Sequence, residues 1–315
     1  MTALMICASL GPGGVDVSSD HELSVQERVS RDTLSAVREF LGGPDQDSEG
    51  WTFEFGEHLE SNWGAVYGGA LAAGTLSVAR SIAPDRAPRS LHLQIVRSVL
   101  RGRAFATAKM RQSGRTVGTV EVDLYDQRQK LAAVALLTMV TPAAVAADHH
   151  DTTATPPFRL TAGPLAHPEQ QQAWSAPVVE ALNLMSRRDG NPVLLRAENV
   201  RPSLDGSMAV ASECTVPWDN LELTGPESAC LVADSIVAAP VLASSLPPEL
   251  IGPNPDLTLR FTTAPATRVI TAAGMLLSVQ RGTTMIGIEV QAGDQQLAHG
   301  LATSLLLRPR SGLAK

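Results

Sequence analysis

SLHLQIVRSVLRGRAFATAKMRQSGRTVGTVEVDLYDQRQKLAAVALLTMVTP, residues Ser90–Pro142, and DLTLRFTTAPATRVITAAGMLLSVQRGTTMIGIEVQAGDQQLAHGLATSLLLRP, residues Asp256–Pro309, align with a shift of 166 to 168 residues. Leu91 and Leu93 fall on Leu257 and Leu259, and Gly114 and Thr116 on Gly282 and Thr284. Glu121-Val122 falls on Glu289-Val290, Asp126-Gln127 on Asp294-Gln295, and Leu131-Ala132 on Leu297-Ala298. The order of the matches and the nearly constant shift point to one domain used twice.

Each copy has the same grammar. A small-residue apolar stretch of helical length comes first, Gly69–Ile82 and then Ser228–Leu246; Gly, Ala and Ser there permit a helix packed almost all round. Thr119–Tyr125 and Gly287–Gln291 alternate apolar and polar residues, as half-buried strands do. Asp126–Gln129 and Ala292–Gln295 are polar turns joining hairpin strands, and Leu131–Val140 and Leu297–Leu307 are long apolar closing strands. Trp51–Phe55 and Ser207–Val216 are expected as leading strands before each helix. One helix followed by an antiparallel meander predicts an α+β fold in which two antiparallel sheets each wrap a central helix and are joined side by side in a pseudo-dimer. The expected organisation is a weakly ordered leader over 1–30, a first copy over 31–142, a linker over 143–158 and a second copy over 159–315.

The chain has 315 residues, enough for about two domains. Hydrophobic residues are 44% and charged residues 18%, which excludes a disordered chain. A formal charge of −7 lacks the basic footprint of a nucleic-acid binder. The three cysteines, Cys7, Cys214 and Cys230, are odd in number and without metal spacing, so a reducing, cytoplasmic setting and no metal are expected. The apolar start has no basic n-region and reads poorly as a signal peptide. No run is expected to reach the ~18 apolar residues of a membrane span; Leu131–Val140 and Cys230–Leu246 are too short or too polar.

These residues resemble the double (tandem) hot-dog acyl-CoA thioesterases, the TesB-like group. In the first copy the resemblance rests on Tyr67-Gly68-Gly69-Ala70-Leu71 opening a helix, Arg89-Ser90-Leu91-His92 on the next strand, Gly102 at a turn, and Arg111-Gln112-Ser113-Gly114-Arg115 like the family's "R-x-G-R" hairpin. In the second it rests on Leu231–Ser235 in the helix and Pro255-Asp256-Leu257-Thr258 after it. The resemblance implies hydrolysis of an acyl thioester by activated water, with Asp234 at the family's catalytic Asp. The family's "Ser-Asp" is here Ala233-Asp234. Its Thr falls on or near Asn254, with Thr258 a few residues on, and its Gln near Thr303; both places are polar and neither matches by type. The Asp234 counterpart in the first copy lies near Thr75 or Ser77, so one competent site at most is expected.

The residues themselves bear on the same chemistry. Asp234 sits among Leu231, Val232, Ile236 and Val237; desolvation there raises a carboxylate's pKa and suits it to act as a base toward water, the alternative being a solvated or capping carboxylate. The turn Trp63–Gly69 enters a helix and presents unpaired N–H groups, so Tyr67, Gly68 and Gly69 are candidate binders of a thioester carbonyl; equally, Gly68 and Gly69 serve close packing. Among Arg97, Arg101, Arg103, Arg111 and Arg115, Arg111 and Arg115 are the candidates for the phosphoadenosine end of coenzyme A, against a reading as solvated hairpin charges. His92, His299, Glu121 and Glu289 read as architectural, and His149-His150-Asp151 as a poor metal site. No Gly-x-Ser-x-Gly elbow or Cys–His spacing supports a covalent nucleophile. A cofactor is not expected beyond the coenzyme A of the substrate, and the expected assembly is a homo-oligomer of pseudo-dimeric chains. The other readings are a thioester-binding protein without turnover and a hot-dog hydratase or dehydratase.

Overall fold

The computed structural model describes residues 35–142, except 47, 49, 62 and 63, and residues 200–307, except 203–208, 217–224, 245, 247–249, 251 and 263–265. The expected leader, the linker with His149, His150 and Asp151, the domain boundaries and Trp63 lie outside them. The first half runs β1 (Asp45–Gln46), β2 (Trp51–Phe55), α1 (Gly68–Ile82), β3 (Ala87–Ile95), β4 (Gly102–Ser113), β5 (Val117–Tyr125) and β6 (Leu131–Val140). The second runs β7 (Val200–Pro202), β8 (Ala209–Thr215), α2 (Gly225–Ser235), α3 (Ala238–Ala243), β9 (Asp256–Phe261), β10 (Val269–Gln280), β11 (Thr283–Ala292) and β12 (Gln295–Leu305).

The strand alternation resolves as expected. On β5, Gly118, Val120, Val122 and Leu124 are buried while Thr119, Glu121, Asp123 and Tyr125 are only partly so. Helix α1 is buried continuously from Gly69 to Ala79, because its small side chains let sheet and second helix approach on every side. The second helical stretch differs from the expected run over Ser228–Leu246: it begins at Gly225 and breaks at Ile236–Val237. Pro240 is the physical reason. It lacks an N–H, and in a continuous helix its ring would meet the carbonyl of Ile236; Ala239 N instead donates to Ile236 O over a tighter turn at 3.2 Å. Gly225–Leu242 has, contrary to expectation, the length and composition of a membrane-crossing stretch, and 89% of it is buried inside the chain, where it serves as the core of the second half.

The two expected sheets are one. All twelve strands form a single sheet in the order β1-β2-β4-β5-β6-β3-β9-β12-β11-β10-β8-β7. Read outward from the centre, both halves give the same order. The join is the antiparallel pair β3–β9, with Leu91 opposite Leu259, His92 opposite Thr258 and Leu93 opposite Leu257. A shift of 166 carries His92 onto Thr258, its own partner, and exchanges the two Leu pairs, so a local two-fold passes between His92 and Thr258. The sheets merge because β3 and β9 would each otherwise expose a row of unpaired backbone groups. Leu91, Leu93, Leu257 and Leu259 turn inward beneath α1 and α2, which pack on each other over the sheet. Truncation at this join, Leu259→Ala, is expected to lower the unfolding free energy in urea by about 2–5 kcal/mol. The outward-facing Leu301→Ala on the neighbouring strand should stay within about 0.5 kcal/mol.

Candidate functional site

Helix α1 starts without a side-chain cap: Tyr67 stands at the cap position in extended conformation, and its own N–H donates to Leu59 O at 3.0 Å. The first amides of a helix have no partner within it. Here the carboxylate of Asp234, near the end of the antiparallel α2, lies against that first turn, and the nearby N–H groups of Gly69 and Gly68 favour its charged form. Glycine is needed at both positions for reasons of distance. A Cβ on Gly68 would lie 2.7 Å from Asp234 Oδ1, and one on Gly69 would lie 2.7 Å from Leu231 O and 2.8 Å from Cys230 O. Of the two sequence readings, close helix packing is what the distances show; where the other reading expected a thioester carbonyl to meet the N–H groups, the carboxylate of Asp234 faces them.

A side-chain hydrogen bond to the carboxylate comes from Asn254, whose Nδ2 lies 3.1 Å from Asp234 Oδ1. Its loop is held from two sides. Gly252 N donates to Leu305 O at 2.7 Å and Ser304 Oγ to Gly252 O at 3.1 Å, while Ile95 N on β3 donates to Pro255 O at 2.7 Å. The site thus lies where the C-terminal end of β3 meets the start of β9. Asp234 is buried and Asn254 partly exposed. Burial pushes the Asp234 carboxyl above its ordinary range, and the donors from Asn254, Gly69 and Gly68 hold it back in part.

The remaining candidates lie elsewhere. Thr258 alternates with the buried Leu257 and Leu259, and Thr303 with the buried Ala302 and Ser304, so both project from the sheet face away from the helices. Thr258 Oγ1 is 2.6 Å from His92 Nδ1, and Thr303 Oγ donates to Asp256 Oδ2 at 2.6 Å. Arg111, on β4, forms a two-pronged pair with Glu121 on β5, including Nε to Oε2 at 2.9 Å; the pair holds the Glu121 carboxyl below its ordinary range. Arg115 sits in the adjoining hairpin, where its carbonyl accepts from Thr141 Oγ1 at 3.1 Å. Strands β5 and β6 separate β4 from β3, so the structure does not bring Arg111 to Asp234. Arg101 is nearer in the chain to the helix entry: with Glu57, Glu60, Gly64, Leu100 and Gln127 it lines an open cleft of about 470 Å³. Among the described residues no group of three or more His, Cys, Asp or Glu is placed to hold a metal ion.

One buried charged pair escaped the sequence reading. Arg80 Nε lies 2.7 Å from Glu227 Oε1 at the far end of the helix pair. The available signal was one charge in α1, Arg80, and two in α2, Glu227 and Asp234, within otherwise small and apolar helices. For Asp234 the structure sets a pH dependence with a definite sign. A process that needs its carboxylate should gain rate as pH rises through a midpoint above the ordinary 3.8, followed as a pH–rate profile. Gly68→Ala should disturb that midpoint by displacing the carboxylate, with the fold retained by circular dichroism.

Against known proteins, residues 59–141 match the family described as the acyl-CoA thioesterase N-terminal domain. No curated protein matches the chain by sequence. Solved structures match over nearly their whole length. A protein of unknown function with a hot dog fold from Alicyclobacillus acidocaldarius has 15% identity and a TM-score of 0.60, covering 87% of this chain and 98% of that one. A tesB protein of Mycobacterium avium subsp. paratuberculosis has 16% identity and a TM-score of 0.58, covering 88% and 100%. The dehydratase domain of RzxB from Pseudomonas fluorescens has 13% identity and a TM-score of 0.51, covering 84% and 96%. At these identities the likeness is one of fold. Residues 59–141, which carry the Tyr67-Gly68-Gly69 helix entry and the joining strand β3, thus match the acyl-CoA thioesterase N-terminal domain family, and the chain around them shares the hot-dog fold of a tesB protein.

Proposed function

We propose that the chain is a tandem hot-dog hydrolase that converts an acyl-CoA, or a related acyl thioester, to free acid and thiol by direct attack of water. The observation that carries this reading is the buried Asp234 carboxylate. It lies against the N–H groups of Gly68 and Gly69 and accepts from the Asn254 amide, at a partly exposed end of the β3–β9 join. In the proposed step Asp234 takes a proton from water as the water oxygen bonds to the thioester carbonyl carbon. The tetrahedral intermediate collapses with cleavage of the C–S bond, and the departing sulfur takes the proton back. Burial supports the role because it raises the basicity of the carboxylate, while the Asn254 amide keeps it in place and aimed.

Within this reading the chain is a duplicated domain with copies over 31–142 and 159–315, acts in the cytoplasm on lipid-derived thioesters, needs no cofactor beyond the coenzyme A of the substrate, and assembles as an oligomer of pseudo-dimers. Ser77 stands where the first copy would need its own Asp, and its hydroxyl donates to Ala73 O at 3.0 Å, so one site per chain is proposed. A second reading, binding without turnover, is favoured by one observation: Thr258 and Thr303 project from the other face, which leaves Asp234 and Asn254 as the groups that meet the water. The hydratase or dehydratase reading loses ground because His92 is engaged with Thr258 on that outer face.

The test is thiol release from a panel of acyl-CoA chain lengths. The parent should turn over at least one of them. Asp234→Asn, nearly isosteric, should lose about 10²–10⁴-fold in kcat with substrate binding kept. Asn254→Ala should lose less, about tenfold, as a single hydrogen bond to a charged group would. Binding without turnover by the parent across the panel would hand the lead to the second reading, and undiminished kcat in Asp234→Asn would remove the base.

A further inference from the structure

The antiparallel helix pair is not symmetric at its two ends. Aligning the helix starts puts Gly225 on Gly68, Pro226 on Gly69 and Asp234 on Ser77. The contact that seats Asp234 on α1 therefore has no counterpart on α2. Pro226 has no N–H to offer where Gly69 has one, and Ser77 brings no carboxylate. That end of the pair holds a different device. Arg80, in the last turn of α1, reaches back to Glu227 in the first turn of α2, with Nε to Oε1 at 2.7 Å and a further Nη2 contact to Oε2 at 3.4 Å. The Glu227 side chain is 0% exposed and that of Arg80 is 14% exposed.

We propose that the Arg80–Glu227 pair is a clamp that fixes the axial register of α1 against α2 and thereby positions Asp234 on the Gly68 and Gly69 amides. The inference rests on the function proposed above for its kinetic consequences and stands independently of it for its geometric ones. The small residues of the α1–α2 contact lock neighbours poorly along the axis. Gly68 and Gly69 meet Asp234, Leu231 and Cys230 there, and glycine offers no ridge to engage. Nη2 donates to Oε2 while Nε faces Oε1 as an ion pair, and a buried charge pair of this kind favours one separation of its partners. One helical residue of slip is about 1.5 Å, enough to take a carboxylate out of hydrogen-bond range of two particular amides. Arg80 and Glu227 are thus positioning residues, acting on the site through the helices that carry it.

The discriminating variant replaces both partners at once, Arg80→Met with Glu227→Met. Exchanging a buried ion pair for apolar side chains of similar size commonly leaves stability unchanged or higher, so loss of fold is not the expected outcome. Two readouts decide. The first is the pair of Gly68 and Gly69 amide proton shifts, which a carboxylate acceptor draws downfield and which should move upfield in the double variant, toward their positions in Asp234→Asn. The second is steady-state hydrolysis, where kcat should fall about 10- to 100-fold with KM nearly constant. Arg80→Lys keeps the charge without the guanidinium and should lie between parent and double variant in both. A folded double variant with parental Gly68 and Gly69 shifts and parental kcat overturns the proposal. Should the double variant fail to fold, parental values in Arg80→Lys overturn it instead. If the parent hydrolyses no thioester, the function proposed above fails while the amide shifts still decide the clamp.

Discussion

An ionisable carboxylate between two apolar helices is tolerable only if donors meet it, and in this chain the donors are the orphan amides of the facing helix. The contact of Asp234 with Gly68 and Gly69 serves both helices: a carboxylate comes to the start of α1, where Tyr67 gives no cap, and Asp234 faces polar N–H groups in place of water. The same contact sets the demands on its surroundings. Glycine is required at 68 and 69 because a Cβ would strike Asp234 at the first position and the backbone of Leu231 and Cys230 at the second. The helices must be thin enough to approach, hence the run of Ala, Gly and Ser. Asn254 arrives from a loop tied to both β3 and β12.

The β3–β9 pair is what allows residues from the two halves to share one site. Gly68 and Gly69 belong to the first half, Asp234 and Asn254 to the second, and only a continuous sheet with a local two-fold at His92 and Thr258 brings the first helix entry over the second half's helix end. The symmetry that builds the frame is broken at the candidate site: Pro226 and Ser77 replace Gly69 and Asp234 in the mirrored contact, and the buried Arg80–Glu227 pair occupies that end. Desolvation raises the Glu227 carboxyl while the Arg80 charge opposes the rise, the balance expected of a carboxylate retained as half of an ion pair.

Much of this frame is legible in the sequence because it follows from periodicity and repetition. The alternation over Thr119–Tyr125 and the apolar run Leu131–Val140 became β5 and β6, and the matched Leu pairs of the repeat became the join itself. That the halves lie side by side is expected; that β3 and β9 are the strands that join them is not legible, since hydrogen bonding between edge strands leaves no trace in either strand's pattern. The helix break before Pro240 follows from a local rule overlooked in a favourable composition. In the site, Asp234, Gly68, Gly69 and Asn254 come together. Thr258 and Thr303 do not, because strand alternation sends them to the opposite face from the helices. Arg111 found Glu121 one strand away, a neighbour that cross-strand register decides and linear spacing does not.

In the proposed reaction Asp234 activates water and does not attack the thioester itself. The direct measurement is a single turnover, enzyme in excess over acyl-CoA, in ¹⁸O-water, with mass spectrometry of both the product acid and the peptide containing Asp234. Water activation predicts one ¹⁸O in the acid from the first turnover and none in Asp234. An unlabelled first-turnover acid, with ¹⁸O appearing in Asp234, would mean that the carboxylate had formed and lost an anhydride, and would contradict the account.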